Sequence, residues 1–193
     1  MGATQQQHTG SPATTTWAID PAHTVVEFSA KHMMITTVKG RFADVKGTIT
    51  VDARNPDQSH VEAEIGTASI DTRTEQRDQH LRSADFLDVE HHPTITFRST
   101  KLSGAQAREG DKLKVTGELT IRGKTIAVTL DCVYDGRGKD PWGGERVSFS
   151  AETRIDRREW GLMWNQALET GGILVSNEVR ISIEVQAVRE AKS

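Results

Sequence analysis

The sequence has little of what indicates a disulfide-bonded, membrane-spanning or nucleic-acid-binding protein. Its single cysteine, Cys132, excludes an intramolecular disulfide and a multi-cysteine metal site. No apolar run approaches the roughly 18 residues that a membrane-spanning helix needs, so we predict no transmembrane segment. Aromatic residues make up 5% of the chain, which is too few for a surface that stacks on nucleic-acid bases.

Neither sign of charge dominates. The formal net charge is -3 and the isoelectric point is about 6.2, and the lysines and arginines are spread along the chain. A bulk attraction to nucleic acid is therefore absent, and we expect no nucleic-acid partner. Residues 1–16 contain neither a basic segment nor an apolar run. We therefore expect no secretory signal and a cytoplasmic location.

Motifs for catalysis or metal binding are also missing. The chain has no HExxH motif and no second cysteine to complete a zinc site. Adjacent residues of a strand face opposite sides, so His91 and His92 do not converge on one ion. Neither GxSxG nor a phosphate-binding glycine loop occurs. We predict no catalytic residue, no metal and no cofactor, and we expect Cys132 to be a small buried apolar side chain.

The chain does have hydrophobic alternation with a period of two, which is typical of half-buried β-strands. Turn-forming residues separate the alternating runs; among them are Asn55-Pro56-Asp57, the two-residue hairpin Arg122-Gly123 and a glycine-rich loop over residues 135–144. The alternating runs cover residues 26–30, 48–52, 61–65, 95–97, 115–121, 126–132, 147–155 and 181–185.

About eight strands that are apolar on one face and joined by short turns predict an all-β fold, in which an antiparallel sheet closes into a barrel. The length suits one domain, residues 17–190. A polar tail, residues 1–16, precedes it and is predicted to be disordered, because it cannot offset its ordering entropy.

The size of the inward side chains decides whether such a barrel is filled or hollow. Several of them are small, among them Ala30, Ala63, Gly117 and Ala151, so we expect free space inside. The alternative is that the segment around Leu81, or residues 160–168, fills it.

The alternation stops over residues 73–93. Thr74 offers an N-cap hydroxyl and Glu75 an early acidic residue, which predicts a short helix over residues 75–82. Its apolar content is essentially Leu81, so we expect the helix to lie over the barrel as a lid or plug. The apolar turn that follows contains Phe86, and Pro93 restores an extended chain.

Residues 154–164, RIDRREWGLMW, place three arginines before two tryptophans. The ordinary interpretation is a strand end followed by a packed turn. The functional interpretation is a barrel mouth, in which Arg158 meets an anionic head group while Trp160, Leu162 and Trp164 line the channel below. Met33 adds an adaptable apolar lip after the strand that ends near His32, and core filling is its alternative.

Several segments together resemble the YceI family of polyisoprenoid-binding, lipocalin-like proteins. They are WAIDPAHTVVEF at 17–28, KH at 31–32, GRF at 40–42, RDQHLRSADFLD at 77–88, PTITFRST at 93–100 and GELTIRG at 117–123. The resemblance covers residue 17 to about residue 188 in the same order.

The resemblance implies an eight-stranded antiparallel lipocalin-like barrel with a short helix between strands. It also implies a non-catalytic carrier or store for a long apolar lipid, such as a polyisoprenoid or a quinone, and a homodimer is compatible with it. From the alternation we choose as candidate ligand-binding residues Phe28, Ala30, His32, Met33, Phe42, Ile65, Leu81, Phe86, Phe97, Leu119, Phe149, Arg158, Trp160, Leu162 and Trp164.

Two other functions stay open. An enzyme acting on a hydrophobic substrate would use His32 or His80 as a general base beside the apolar channel. A stress-related interaction domain would have a solidly packed barrel. Arg77, Asp78 and His80 belong to the charged segment that carries the resemblance. The alternative to a functional role for them is a structural one, in which they anchor the helix to the barrel.

Overall fold

The computed structural model describes residues 14–104, 108–169 and 171–191. The eleven strands are β1 (Thr14–Ile19), β2 (Val25–His32), β3 (Thr36–Phe42), β4 (Val45–Asp52), β5 (His60–Gly66), β6 (Ile70–Asp71), β7 (Thr94–Ser103), β8 (Lys112–Ile121), β9 (Lys124–Lys139), β10 (Glu145–Asp156) and β11 (Glu178–Arg189). A single α-helix, α1 (Glu75–Arg82), and four short 3-10 turns complete the described chain.

The sheet closes on itself. Its order is β1-β4-β5-β7-β8-β9-β10-β11, all pairs are antiparallel, and β11 returns to β1 with Trp17 opposite Arg189. This is the closed eight-stranded antiparallel barrel that the alternation predicts. Every predicted run lies within an observed strand, and the Arg122-Gly123 hairpin is also confirmed, with positive φ at both residues.

The eleven strands form eight positions around the barrel, which we call walls. Three of these walls each consist of two consecutive strands with a break between them. β1 and β2 lie one after the other along the same edge of β11, with Ile19 opposite Ala187 and Val26 opposite Ile183. In the same way β3 continues into β4 and β5 into β6, and the interruptions lie side by side. Each of the eight walls therefore neighbours the next in sequence, which is an up-and-down barrel.

This connectivity gives the barrel two different ends. At the helix end lie α1, the β2–β3 hairpin, the β8–β9 hairpin and the segments 157–169 and 171–177 between β10 and β11, which we call the β10–β11 loop. At the far end lie the loop over residues 53–59, the described residues 104 and 108–111 between β7 and β8, and the β9–β10 turn over residues 140–144. No helix among the described residues is long and apolar enough to cross a membrane.

The predicted helix is confirmed, and polar bonds hold it in place. Asp78 is buried, with an exposed fraction of 4%, and its carboxylate accepts a hydrogen bond from the Thr72 backbone N–H at 2.9 Å. The Arg77 guanidinium donates to the Thr72 carbonyl at 2.7 Å, and Arg82 donates to the Ile70 carbonyl at 2.9 Å. The helix is thus anchored to the segment around β6.

Two local expectations were wrong. The Thr74 hydroxyl does not cap α1 and instead accepts a hydrogen bond from Arg77 at 3.1 Å. The first half of the loop expected over residues 135–144 is strand, because β9 continues to Lys139. A bulge there is absorbed at Gly136, whose φ of 131° favours glycine.

The first strand begins at Thr14, earlier than the sequence suggests, because residues 14–16 pair with the end of β4. The Trp17 indole N–H also donates to the Thr15 hydroxyl at 3.0 Å. The remainder of the predicted tail, residues 1–13, lies outside the described residues.

Candidate functional site

The barrel encloses a cavity of about 730 Å³ that runs between its two ends. Protein interiors rarely contain voids much larger than a water molecule, so a space of this size is not a packing defect. The inward residues of the strands line it, and most of them are aliphatic or aromatic. The expected free space is therefore present.

Part of the space that small residues would leave is filled by two phenylalanine rings. An added Cβ atom would come within 2.3 Å of the Phe28 ring at Gly40, and within 2.5 Å of the Phe97 ring at Gly117. The glycines let these rings lie close against the wall. Ala63 and Ala151 do line the cavity.

Four apolar side chains close the barrel at the helix end. Phe86, Leu87, Trp160 and Leu162 are each less than 9% exposed, and we call them the closed-end cluster. The Trp160 indole N–H donates to the Leu119 carbonyl at 3.0 Å, which fixes the largest of the four to the wall. A chain inside the cavity would end against this cluster.

A buried arginine holds the loop that carries Trp160 and Leu162. Arg157 is 4% exposed, and its guanidinium donates to the backbone carbonyls of Ser176 at 3.0 Å and Trp164 at 2.9 Å. It also donates to the carbonyls of Leu162 and Val175. Burial lowers the pKa of this guanidinium. Arg157 thus joins the two segments of the β10–β11 loop, residues 157–169 and 171–177.

The cavity opens at the far end, where its lining becomes charged and partly exposed. Arg137, His60 and Asp111 lie at this rim, together with Asp52. Glu145 and Arg189 form an ion pair there, and the hydrogen bond from Arg189 lowers the pKa of the Glu145 carboxyl. We call this ring of residues the mouth.

Eight of the fifteen residues chosen from the sequence line the cavity. They are Phe28, Phe42, Ile65, Phe86, Phe97, Leu119, Phe149 and Leu162. They come from six different strands and from the two loops at the helix end.

Four of the other seven do not line the cavity, and three of these pack in or beside the closed-end cluster. Trp160 belongs to that cluster, and Leu81 packs against the core from α1. The Trp164 ring contacts those of His80 and Phe86, at centroid distances of 4.6 and 5.3 Å. Ala30 lies on β2 opposite Val38, beyond the end of the lined space.

The last three candidates lie on the outside of the helix end. His32 forms a bridge with Val175, and Met33 follows it in an exposed turn. Arg158 pairs with the Asp156 carboxylate at 2.5 Å. Neither His32 nor His80 lines the cavity, so the structure gives the general-base hypothesis no geometric support.

Sequence reasoning missed the mouth and Arg157. The mouth has a signal in the alternation, because the inward face of β10 runs from Phe149 and Val147 to Glu145. On β11 the same face ends at Arg189. Inward positions that become charged at the ends of two paired strands indicate where a barrel opens.

Cys132 lines the cavity, and its reactivity provides a chemical test of whether the cavity excludes water. As predicted it is buried, and burial raises the pKa of its thiol to about 11 from 9.0. We therefore expect iodoacetamide to alkylate it about 100-fold more slowly at pH 8 than it alkylates the unfolded chain. The rate should rise about tenfold per pH unit up to that pKa, because the thiolate is the nucleophile.

Mass spectrometry of the alkylated protein measures this rate, and the same chain unfolded in urea is the control. A folded-state rate that equals the unfolded rate at pH 8 would show that water reaches the thiol freely.

Comparison with known proteins places the chain in a family. The model of the YceI-like domain matches residues 17–187. Protein YceI of Salmonella newport (strain SL254) is 39% identical over 184 residues, which cover 94% of this chain and 91% of that protein.

Two solved structures share the fold. The YCEI protein of Campylobacter jejuni superposes with a TM-score of 0.68 at 30% identity, covering 84% of this chain and 90% of that one. A polyisoprenoid binding domain from Saccharophagus degradans superposes with a TM-score of 0.64 at 12% identity, covering 90% and 98%. With the family match over nearly the whole barrel, this chain belongs to the YceI family.

Proposed function

We propose that this protein is a non-catalytic carrier or store for a long apolar chain, such as a polyisoprenoid or a quinone tail. The observation that carries the proposal is the cavity of about 730 Å³, which is apolar along its walls, closed at one end and charged at the other. The Saccharophagus degradans domain is named for polyisoprenoid binding, which supports the same ligand class.

The geometry favours one orientation of such a ligand. The apolar tail would lie along the barrel and end against Phe86 and Leu162, while a polar head group would remain at the mouth near Arg137. A packed interaction domain is less consistent with this interior, because nothing in the described chain fills the space.

The hydrophobic effect would supply the main driving force for binding. Removing about 400 Å² of apolar chain from water contributes roughly 10 kcal/mol at about 25 cal/mol per Å². Loss of translational and rotational freedom on association costs about 4–15 kcal/mol. The two terms are of similar size, so the affinity depends on how much of the chain the cavity covers.

A series of prenols tests this dependence. We expect the affinity to increase from geraniol to farnesol to geranylgeraniol, because each isoprene unit adds buried methyl and methylene groups, and then to level off when the chain fills the cavity. Isothermal titration calorimetry of delipidated protein measures the series, with a short alcohol that has no isoprene chain as the control. Affinities that do not depend on chain length would contradict a cavity site.

A further inference from the structure

The hairpin between β2 and β3 presents three apolar side chains to solvent at its tip. Met33 is 42% exposed, Met34 is 59% exposed and Ile35 is 76% exposed. They are consecutive, whereas single exposed apolar side chains are scattered over most protein surfaces. We call residues 33–35 the hairpin tip. The proposed lipid cavity makes no use of it, since none of the three lines that space.

The backbone of the tip is unfavourable for the residues that occupy it. Met33 and Met34 have φ values of 51° and 59°, the left-handed region that tight hairpins usually fill with asparagine or glycine. The Met33 N–H donates to the Leu174 carbonyl at 2.7 Å, and the Ile35 N–H donates to the His32 carbonyl at 3.1 Å. The surrounding structure therefore holds two methionines where polar residues would be less strained.

On the two strands of the hairpin itself, the charges nearest the tip are all of one sign. The chain contains no aspartate or glutamate from residue 28 to residue 43, and the lysines Lys31 and Lys39 lie below the tip on the two strands. Both lysines are exposed, and among the described residues neither has an ion-pair partner. The segment that contacts the hairpin, residues 171–177, contributes no acidic side chain, and the carboxylate of the next residue, Glu178, pairs with Arg154 at 3.3 Å.

We propose that the hairpin tip docks this protein on an anionic lipid bilayer. Met33, Met34 and Ile35 would enter the boundary between head groups and acyl chains, and Lys31 and Lys39 would lie at the level of the lipid phosphates. An apolar tip above unpaired cations has the chemistry of such a surface. The attraction is local, so it is compatible with a net charge of -3 for the chain.

The rival anchor is Trp142 in the β9–β10 turn, which is 87% exposed at the far end. Tryptophan favours membrane interfaces. However, Trp142 is a single side chain, and the carboxylates of Asp52, Asp111 and Glu145 lie at the same end of the barrel. Carboxylates also lie at the helix end, on Glu75, Asp85 and Glu159, so what favours the hairpin tip is its three consecutive apolar side chains and the two lysines on its own strands.

Co-sedimentation with vesicles tests the proposal without reference to any bound cargo. We expect binding at low ionic strength to vesicles of phosphatidylcholine mixed with phosphatidylglycerol, and much weaker binding to phosphatidylcholine alone. The double variant M34N/I35T should lose about tenfold in partitioning, and K31Q/K39Q should lose at least as much on the anionic vesicles. Asparagine is chosen because it tolerates left-handed backbone.

The matched control is W142S, which removes a more exposed apolar side chain at the opposite end and should bind as the unchanged protein does. Loss of binding in W142S, or equal binding of M34N/I35T and the unchanged protein, would overturn the proposal. So would a dimer in light scattering that M34N/I35T dissociates, since the tip would then cover a second copy. Because prenol affinity is measured separately, failure here leaves the proposed cavity function untouched.

Discussion

The variant Ala151→Trp should lose at least 100-fold in its affinity for geranylgeraniol and should still fold as a barrel. Ala151 lies in the middle of β10, opposite Cys132 on β9 and Ile183 on β11, and it lines the cavity. Its side chain is 7% exposed. An indole at this position projects into the path that a chain would follow between the mouth and the closed-end cluster.

The folded state should tolerate this substitution because the added side chain enters existing space. Overpacking costs typically about 1–3 kcal/mol when a core has no room, and here a cavity of about 730 Å³ is available. We expect a thermal midpoint within a few degrees of the unchanged protein by circular dichroism. Calorimetric titration with geranylgeraniol measures the affinity.

The control is Ala127→Trp, which places the same side chain on β9 at an exposed position that does not line the cavity. Its affinity should be unchanged. A folded Ala151→Trp protein that binds geranylgeraniol as tightly as the Ala127→Trp protein would show that the chain binds elsewhere.

The variant Arg157→Met should lower the free energy of unfolding by about 3–5 kcal/mol. The methionine preserves much of the apolar stem but removes the donors to the carbonyls of Ser176, Trp164 and Leu162. Buried acceptors left without partners each cost about 1–3 kcal/mol. For a chain of this size each kcal/mol lowers the melting temperature by about 2–4 °C.

Arg158→Met is the matched control, because the neighbouring side chain is exposed and pairs only locally with Asp156. Exposed ion pairs contribute about 0–1 kcal/mol, so its melting temperature should change little. Thermal unfolding of both variants at neutral pH measures the difference. Equal losses in the two variants would mean that the carbonyl contacts of Arg157 do not stabilise the loop.

The eight walls could be predicted from sequence because each buries one face, and burial of one face imposes a period of two. The helix could be predicted as well, since the alternation stops where it begins. The bends between β1 and β2 or between β3 and β4 could not. The break at Ala43 and Asp44, for example, depends on where the pairing of β3 with β2 ends and where the pairing of β4 with β5 begins.

Which end of the barrel is open could not be predicted from the sequence either. The tryptophans and arginines around Trp160 suggest a mouth. In the structure this is the closed end, because the Trp160 indole N–H donates to the Leu119 carbonyl on β8 and is held over the barrel. Which of Arg157 and Arg158 is buried also depends on local backbone geometry. A 3-10 turn (Arg157–Trp160) directs the first inward, toward backbone carbonyls that carry no signature in the sequence.

Native mass spectrometry of freshly purified protein, followed by solvent extraction, tests the central claim most directly. If the barrel is a carrier or store for a long apolar chain, the protein should carry a discrete stoichiometric adduct, and extraction should release a lipid with an isoprenoid or similar tail. A mass that matches the bare chain, and that stays unchanged after incubation with polyprenyl phosphates, quinones and fatty acids, would contradict it.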